Sequence, residues 1–162
     1  MNSQKKIVAL NALQKNIRRL RRNGKKIAFT NGCFDILHFG HVSYLEAAKK
    51  KDRILVIGLN SDRSVKKIKG PKRPIIAQAQ RAALVAALAC VDYVIIFNEE
   101  TPLKTIQALK PDMLIKGADW KGKVVVGSDD VLTRGGKVEF IRYVQGLSSS
   151  QIIKSILEKC KT

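Results

Sequence analysis

At 162 residues, with 45% hydrophobic content and only four prolines, the chain has the size of one ordinary domain and enough apolar side chains for a core, which excludes a disordered tail. Its apolar runs, such as Ala82–Val91, are too short to cross a bilayer, and Met1–Lys6 leads into basic sequence, not an apolar signal core. The formal net charge of +18 calls for anionic partners, while Cys33, Cys90 and Cys160, far apart and without a Cys-x-x-Cys pair, exclude a disulfide framework or zinc site and fit free thiols in a reducing cytoplasm.

Ile7, Leu10, Leu13, Ile17 and Leu20 recur at spacings of three and four, predicting an amphipathic helix over residues 3–22 that stops at Asn23-Gly24. Residues 1–25 are expected to pack this helix on a domain formed by 26–162. A first strand follows at 26–30, then a glycine-bearing turn and a helix over 40–51. Arg53–Leu59 is a continuous apolar run, as in a buried parallel strand. An alanine-rich helix is predicted over 78–90 and a third strand over 93–97. Thr101-Pro102 reads as a helix start, with threonine at the cap and proline at the first helical position. Strands over 112–116 and 137–141 and a last helix over 149–160 complete the chain. This alternation predicts an α/β fold: a single Rossmann-like domain with a mainly parallel five-stranded sheet and helices on both faces. Ligands of such sheets sit at the carboxyl ends of the strands.

The motifs fall at those ends. Residues 29–41 read Phe-Thr-Asn-Gly-Cys-Phe-Asp-Ile-Leu-His-Phe-Gly-His, a strand entering a turn and then a helix start. Free backbone N–H groups and the positive helix end make such a place an anion site, and Gly40 admits a phosphate where a side chain would block it. His38 and His41 can donate to phosphate oxygens. A histidine at a helix start is more often an ordinary surface residue, but the glycine between the pair favours phosphate. Ser148, Ser149 and Ser150 open the last helix, where any one could be a plain N-cap and together they form a second phosphate cradle. Lys69–Pro74 reads as a flexible basic loop without Walker A spacing. Asn60 and Asp62 end the second strand, and Lys116-Gly117-Ala118-Asp119-Trp120 ends the fourth; turn chemistry alone would account for an Asn or Asp there.

Gly32–His41 resembles the signature of the cytidylyltransferase-like nucleotidyltransferase superfamily, whose core is His-x-Gly-His. Within it the chain is similar to the adenylyltransferases that make ADP-heptose, a likeness also carried by Gly58–Asp62, Lys69–Ile75, Lys116–Trp120 and Gly146–Ile152 and spanning residues 26–157. The resemblance implies transfer of AMP from ATP to D-glycero-β-D-manno-heptose 1-phosphate for surface polysaccharide (lipopolysaccharide core) synthesis, with Mg²⁺ bound to the ATP. It implies catalytic roles for His38, His41 and Lys116. It implies nucleotide contacts from Asn31, Gly32, Cys33, Phe34, Gly40, Asn60, Asp62, Gly117, Asp119, Ser148, Ser149 and Ser150, and substrate contacts from Asp35, Lys69, Arg73 and Arg81. No side chain is expected as a metal ligand. Gln80 stands where the family often has an acidic residue, and Trp120 where it often has tyrosine. The rival readings are a cytidylyltransferase acting on glycerol phosphate or another alcohol phosphate, and a basic nucleic-acid-binding module. The second lacks interleaved aromatic residues. Neither nucleic acid nor membrane is expected as a partner, and a homodimer or higher homo-oligomer stays open.

Overall fold

The computed structural model describes residues 2–142 and 146–160. Its strands are β1 (Lys26–Gly32), β2 (Arg53–Asn60), β3 (Tyr93–Phe97), β4 (Met113–Gly117) and β5 (Lys137–Ile141), joined in one sheet of order β3-β2-β1-β4-β5. All the pairings are parallel, with Lys26 opposite Arg53, Val56 opposite Tyr93, Ala28 opposite Met113 and Met113 opposite Lys137. The helices are α1 (Leu10–Arg22), α2 (Phe39–Ala48), α3 (Asp62–Lys69), α4 (Gln78–Ala87), α5 (Leu103–Leu109), α6 (Ser128–Thr133) and α7 (Ser149–Lys159). No helix among the described residues is long and apolar enough to cross a membrane.

Strand alternation sorts the core into two layers. Ala28, Leu55, Ile57, Leu59, Val94 and Ile115 pack on one face with Leu45 and Ala48 of α2 and Ala82, Val85 and Ala86 of α4. Ile27, Phe29, Val56, Ile95 and Leu114 pack on the other with Leu13 and Ile17 of α1, Ile106 and Leu109 of α5 and Val131 of α6. The Rossmann-like α/β fold expected from the sequence is therefore present, with every strand pair parallel.

Several boundaries differ from the sequence reading, each for a tertiary or capping reason. The helix predicted over 3–22 is broken: a short 3₁₀ turn spans Ser3–Lys6 and the α-helix begins only at Leu10. Between them, Ile7 forms a parallel bridge to Val94, and Val8 N donates to Val94 O at 3.0 Å, so sheet pairing overrides the helical spacing of Ile7. Residues 62–69, which include Lys69 from the start of the expected basic loop, form α3. Ser61 caps it, its Oγ accepting from Ser64 N at 3.2 Å, and buried Val65 anchors it. At α5, Pro102 takes the N-cap position and no side chain bonds the first turn, so Thr101 is not the cap. The alanine-rich helix ends at Ala87, short of residue 90.

Candidate active site

The strand order reverses direction at β1: β2 and β3 lie to one side of it, β4 and β5 to the other. A crevice opens outside the strand ends at such a switch point. Here it is a cleft of about 650 Å³ whose walls include Asn31, Gly32 and Cys33 from the end of β1, and Lys116 and Gly117 from the end of β4. Lys116 Nζ donates to Asn31 Oδ1 at 2.6 Å across the switch point and lies 5.1 Å from the centre of the Trp120 ring. Burial lowers the Lys116 pKa to about 8, with Asp119 opposing the shift, so the ammonium is charged at neutral pH but close to losing its proton.

After β1 the chain turns sharply. Phe34 adopts φ +47°, a left-handed conformation, and its ring lies so close to Gly32 that a Cβ there would meet Cε2 at 3.0 Å. The turn delivers His38 to the N-cap of α2 in extended conformation, without a side-chain cap bond, and His41 N donates to His38 O at 2.9 Å. The His41 amide is thus turned back onto the cap, while the amides of Phe39 and Gly40, the first two of α2, have no acceptor within the helix, and Gly40 lines the cleft. The two imidazoles stack with centroids 3.9 Å apart, and Phe34 packs on His41 at 5.1 Å. Burial lowers the His41 pKa to about 4, with His38 and Lys69 adding to the effect, and burial also lowers that of His38. Both Nδ1 atoms are buried without a hydrogen-bond partner.

A second helix start reaches the same cleft. Ser148 caps α7, its Oγ accepting from Gln151 N at 3.2 Å, and Ser149 Oγ donates to Ile36 O at 3.4 Å. That bond ties α7 to the turn after β1. Ser148, Ser149 and Ser150 all line the cleft, so two positive helix ends converge on it.

The remaining residues singled out from the sequence divide into two groups. Asn60 lines the cleft and donates to Ser64 Oγ at 2.9 Å, while Phe34, Lys69, Gly117 and Asp119 line it as well. Asp35 also borders it, but its carboxylate is occupied: Oδ1 accepts from Ile75 N and Ile76 N at 2.8 and 3.0 Å, and Oδ2 pairs with Arg73 Nε at 2.5 Å. Arg73, Asp62 and Arg81 are not on the cleft wall. Arg81 differs most from its expected place as a substrate contact. Fully buried, it donates to Ile76 O, Cys33 O and Asp62 Oδ1, and so braces the turn after β1 from behind. Burial raises the Cys33 thiol pKa, although nearby Lys69 pulls it the other way.

Sequence reasoning missed Tyr44, Glu100, Thr101 and Leu147 as lining residues. The Tyr44 hydroxyl and Thr30 Oγ1 share a hydrogen bond at 2.9 Å, and burial pushes the phenol pKa up. Position one helical turn after Gly40 could have pointed to Tyr44. Nothing local marks the other three.

A strand-end lysine, stacked imidazoles and two convergent helix starts meet at the switch point of a parallel sheet, an arrangement suited to a polyphosphate. A family model described as cytidylyltransferase-like matches residues 29–155, and the chain belongs to that family. It is 52% identical over 156 residues to the bifunctional protein HldE of Citrifermentans bemidjiense, a match covering 96% of this chain and 32% of the relative. It is 54% identical over 153 residues to the protein of the same name from Campylobacter fetus, covering 94% and 32%. The chain thus spans about a third of the length of these curated relatives. The crystal structure of the lipopolysaccharide core biosynthesis protein from Thermoplasma volcanium is similar at 33% identity and a TM-score of 0.60, over 75% of this chain and 98% of that one.

Proposed function

We propose that this enzyme transfers AMP from ATP to D-glycero-β-D-manno-heptose 1-phosphate, releasing pyrophosphate and forming ADP-heptose for lipopolysaccharide core synthesis. The observation that carries the reading is the placement of Lys116 Nζ on Asn31 at the switch point, in a cleft that the starts of α2 and α7 also line. The choice of heptose is supported by the resemblance of the strand-end segments to ADP-heptose-forming enzymes, and the place in lipopolysaccharide core synthesis by the name of the similar Thermoplasma protein.

The acceptor phosphate needs no base, because a phosphate monoester has a second pKa near about 6 and is already an oxyanion at neutral pH. The protein's tasks are then to align that oxyanion with the α-phosphorus and to neutralise charge growing on the departing pyrophosphate. His38 and His41 donate to the triphosphate from the α2 side, and the amides of Ser149 and Ser150 receive its far phosphates. Lys116 supplies the fixed positive charge. Lys69, at the end of α3, meets the sugar phosphate, and Arg73, paired to Asp35, holds the adjoining loop in place. Among the described residues no group of three or more His, Cys, Asp or Glu could cage a metal, which fits Mg²⁺ carried in on phosphate oxygens. Asp119, which lines the cleft without a salt-bridge partner among the described residues, would hold a water of that ion. Bound with ATP, Mg²⁺ would offset part of the triphosphate charge.

The acceptor is tested by holding Mg-ATP constant and comparing the heptose 1-phosphate with glycerol 3-phosphate, reading pyrophosphate. Release with the heptose 1-phosphate alone supports the reading. Release with glycerol 3-phosphate alone overturns it.

A further inference from the structure

The cleft leaves most of the +18 charge unexplained. Because the strands are all parallel, their first residues lie together at the end of the sheet opposite the cleft. The chain is basic at almost every approach to that end: Arg22 and Lys25 before β1, Lys49–Lys51 before β2, Lys110 before β4 and Arg134 before β5, with Lys26 and Lys137 opening their strands. Contacts join these approaches into one surface. Lys25 Nζ donates to Lys51 O at 3.0 Å, and Arg21 pairs with Asp112 at 3.3 Å and donates to Lys110 O. Lys26, Arg134 and Lys137 surround a second cavity of about 340 Å³.

The carboxylates at this end are largely committed. Asp92 pairs with Lys49, Asp112 with Arg21, Asp130 with Arg134, and Glu139 with Arg53 and Lys50. Arg22, Lys26, Lys51 and Lys110 are exposed and have no carboxylate partner among the described residues. Exposed Asp52, beside Lys51, is the carboxylate left without a cation partner at this end among the described residues, so the unpaired cations outnumber it, and lying away from the chemistry they form an interaction surface and not a substrate funnel.

We propose that this face docks the enzyme on an anionic lipid surface, leaving the cleft open at the opposite end. This departs from the sequence expectation of no membrane partner. Two observations favour lipid headgroups over nucleic acid. Helices α1, α2, α4, α5 and α6 all end at this face, so among the described residues it offers no helix-start amides to hold a phosphate in a fixed position, and its lysines and arginines must outweigh the partial negative charge of the helix ends. The exposed aromatics Phe39 and Trp120 belong to the cleft end, exposed Phe140 pairs in register with Lys116 toward that same end, and half-buried Tyr93 packs into the core, so among the described residues no ring on this face is free to stack a base. Flexible cations without directional donors suit a fluid layer of charged headgroups.

The test is co-sedimentation of the full chain with phosphatidylglycerol–phosphatidylcholine vesicles and with phosphatidylcholine vesicles. It is repeated for the double variant Lys26→Glu/Lys51→Glu and for Lys154→Glu/Lys159→Glu, which changes net charge equally but on α7. Binding should require the anionic lipid, weaken as salt rises past about 0.15 M, fall about tenfold or more in the first variant and stay near wild type in the second. Pyrophosphate-releasing activity and melting temperature should be unchanged in both. Absence of binding to anionic vesicles overturns the proposal, as does an equal loss in both variants. Displacement from vesicles by duplex or single-stranded nucleic acid held on Lys26 and Lys51 would assign the face to nucleic acid instead.

Discussion

The rings of His38 and His41 stack face to face, 3.9 Å between centroids and 29° between planes. Two imidazolium ions could not share that geometry without strong repulsion, and with the His41 pKa at about 4 the pair is neutral in the free enzyme at pH 7. A bound triphosphate reverses the local field and favours the protonated form.

Nucleotide binding is therefore expected to take up a proton. His41 is neutral before binding and its pKa rises on binding, so affinity for Mg-ATP should increase as pH falls from about 7 to 5. Calorimetry in buffers of different ionisation enthalpy measures the uptake directly. The His41→Ala protein should show less uptake, and its turnover should drop by roughly 10²–10³-fold.

Lys116 gives the opposite pH limb. Its pKa of about 8 means that the charge is lost as pH rises through that value, so kcat/KM should decline on the alkaline side near about pH 8. Arginine stays protonated throughout, and Lys116→Arg should abolish this limb while lowering the plateau, because a planar fork does not reproduce a point donor to Asn31. A limb that survives in Lys116→Arg belongs to some other group.

Gly40→Ala separates positioning from folding. The new Cβ would stand 3.1 Å from His38 Cε1 and Nδ1, so the ring must shift by a few tenths of an ångström. Alanine in a helix is otherwise favoured by roughly 0.5–1 kcal/mol over glycine. Turnover should thus fall while thermal stability holds or rises slightly, measured by parallel kinetics and melting curves.

Arg81→Ala should act mainly on stability. It leaves the carbonyls of Cys33 and Ile76 unpaired and Asp62 without its cation, inside a site where the guanidinium had no exposure. Water can reach Asp62, whose side chain is 36% exposed, so the main cost is that of leaving buried carbonyls unpaired, roughly 1–3 kcal/mol. Denaturant unfolding of the variant in the absence of ligand measures the loss, and an unchanged midpoint would show that the brace is dispensable.

Much of this architecture is legible in the chain because the signals are local. The short apolar, β-branched run after Arg53 reads as a buried strand, and the alternation of such strands with helices narrows the choice of topology. His38, Gly40 and His41 stand at a strand–turn–helix junction that fixes their position before any contact is known. What escaped is long-range. Ile7 keeps helical spacing yet pairs with Val94, far along the chain. Arg81 looks like an ordinary helix arginine until Cys33, Ile76 and Asp62 are folded around it. Helix α3 was readable in part, since Ser61 is a proper cap, but the lysines that follow made the segment look like a loop.

The most direct measurement is pyrophosphate release with D-glycero-β-D-manno-heptose 1-phosphate and either Mg-ATP or Mg-CTP, for the wild type and for His41→Ala. Adenylyl transfer assisted by His41 requires release with ATP, little with CTP, and a loss of roughly 10²–10³-fold in a folded His41→Ala protein. Preference for CTP, or normal turnover in that variant, would contradict it.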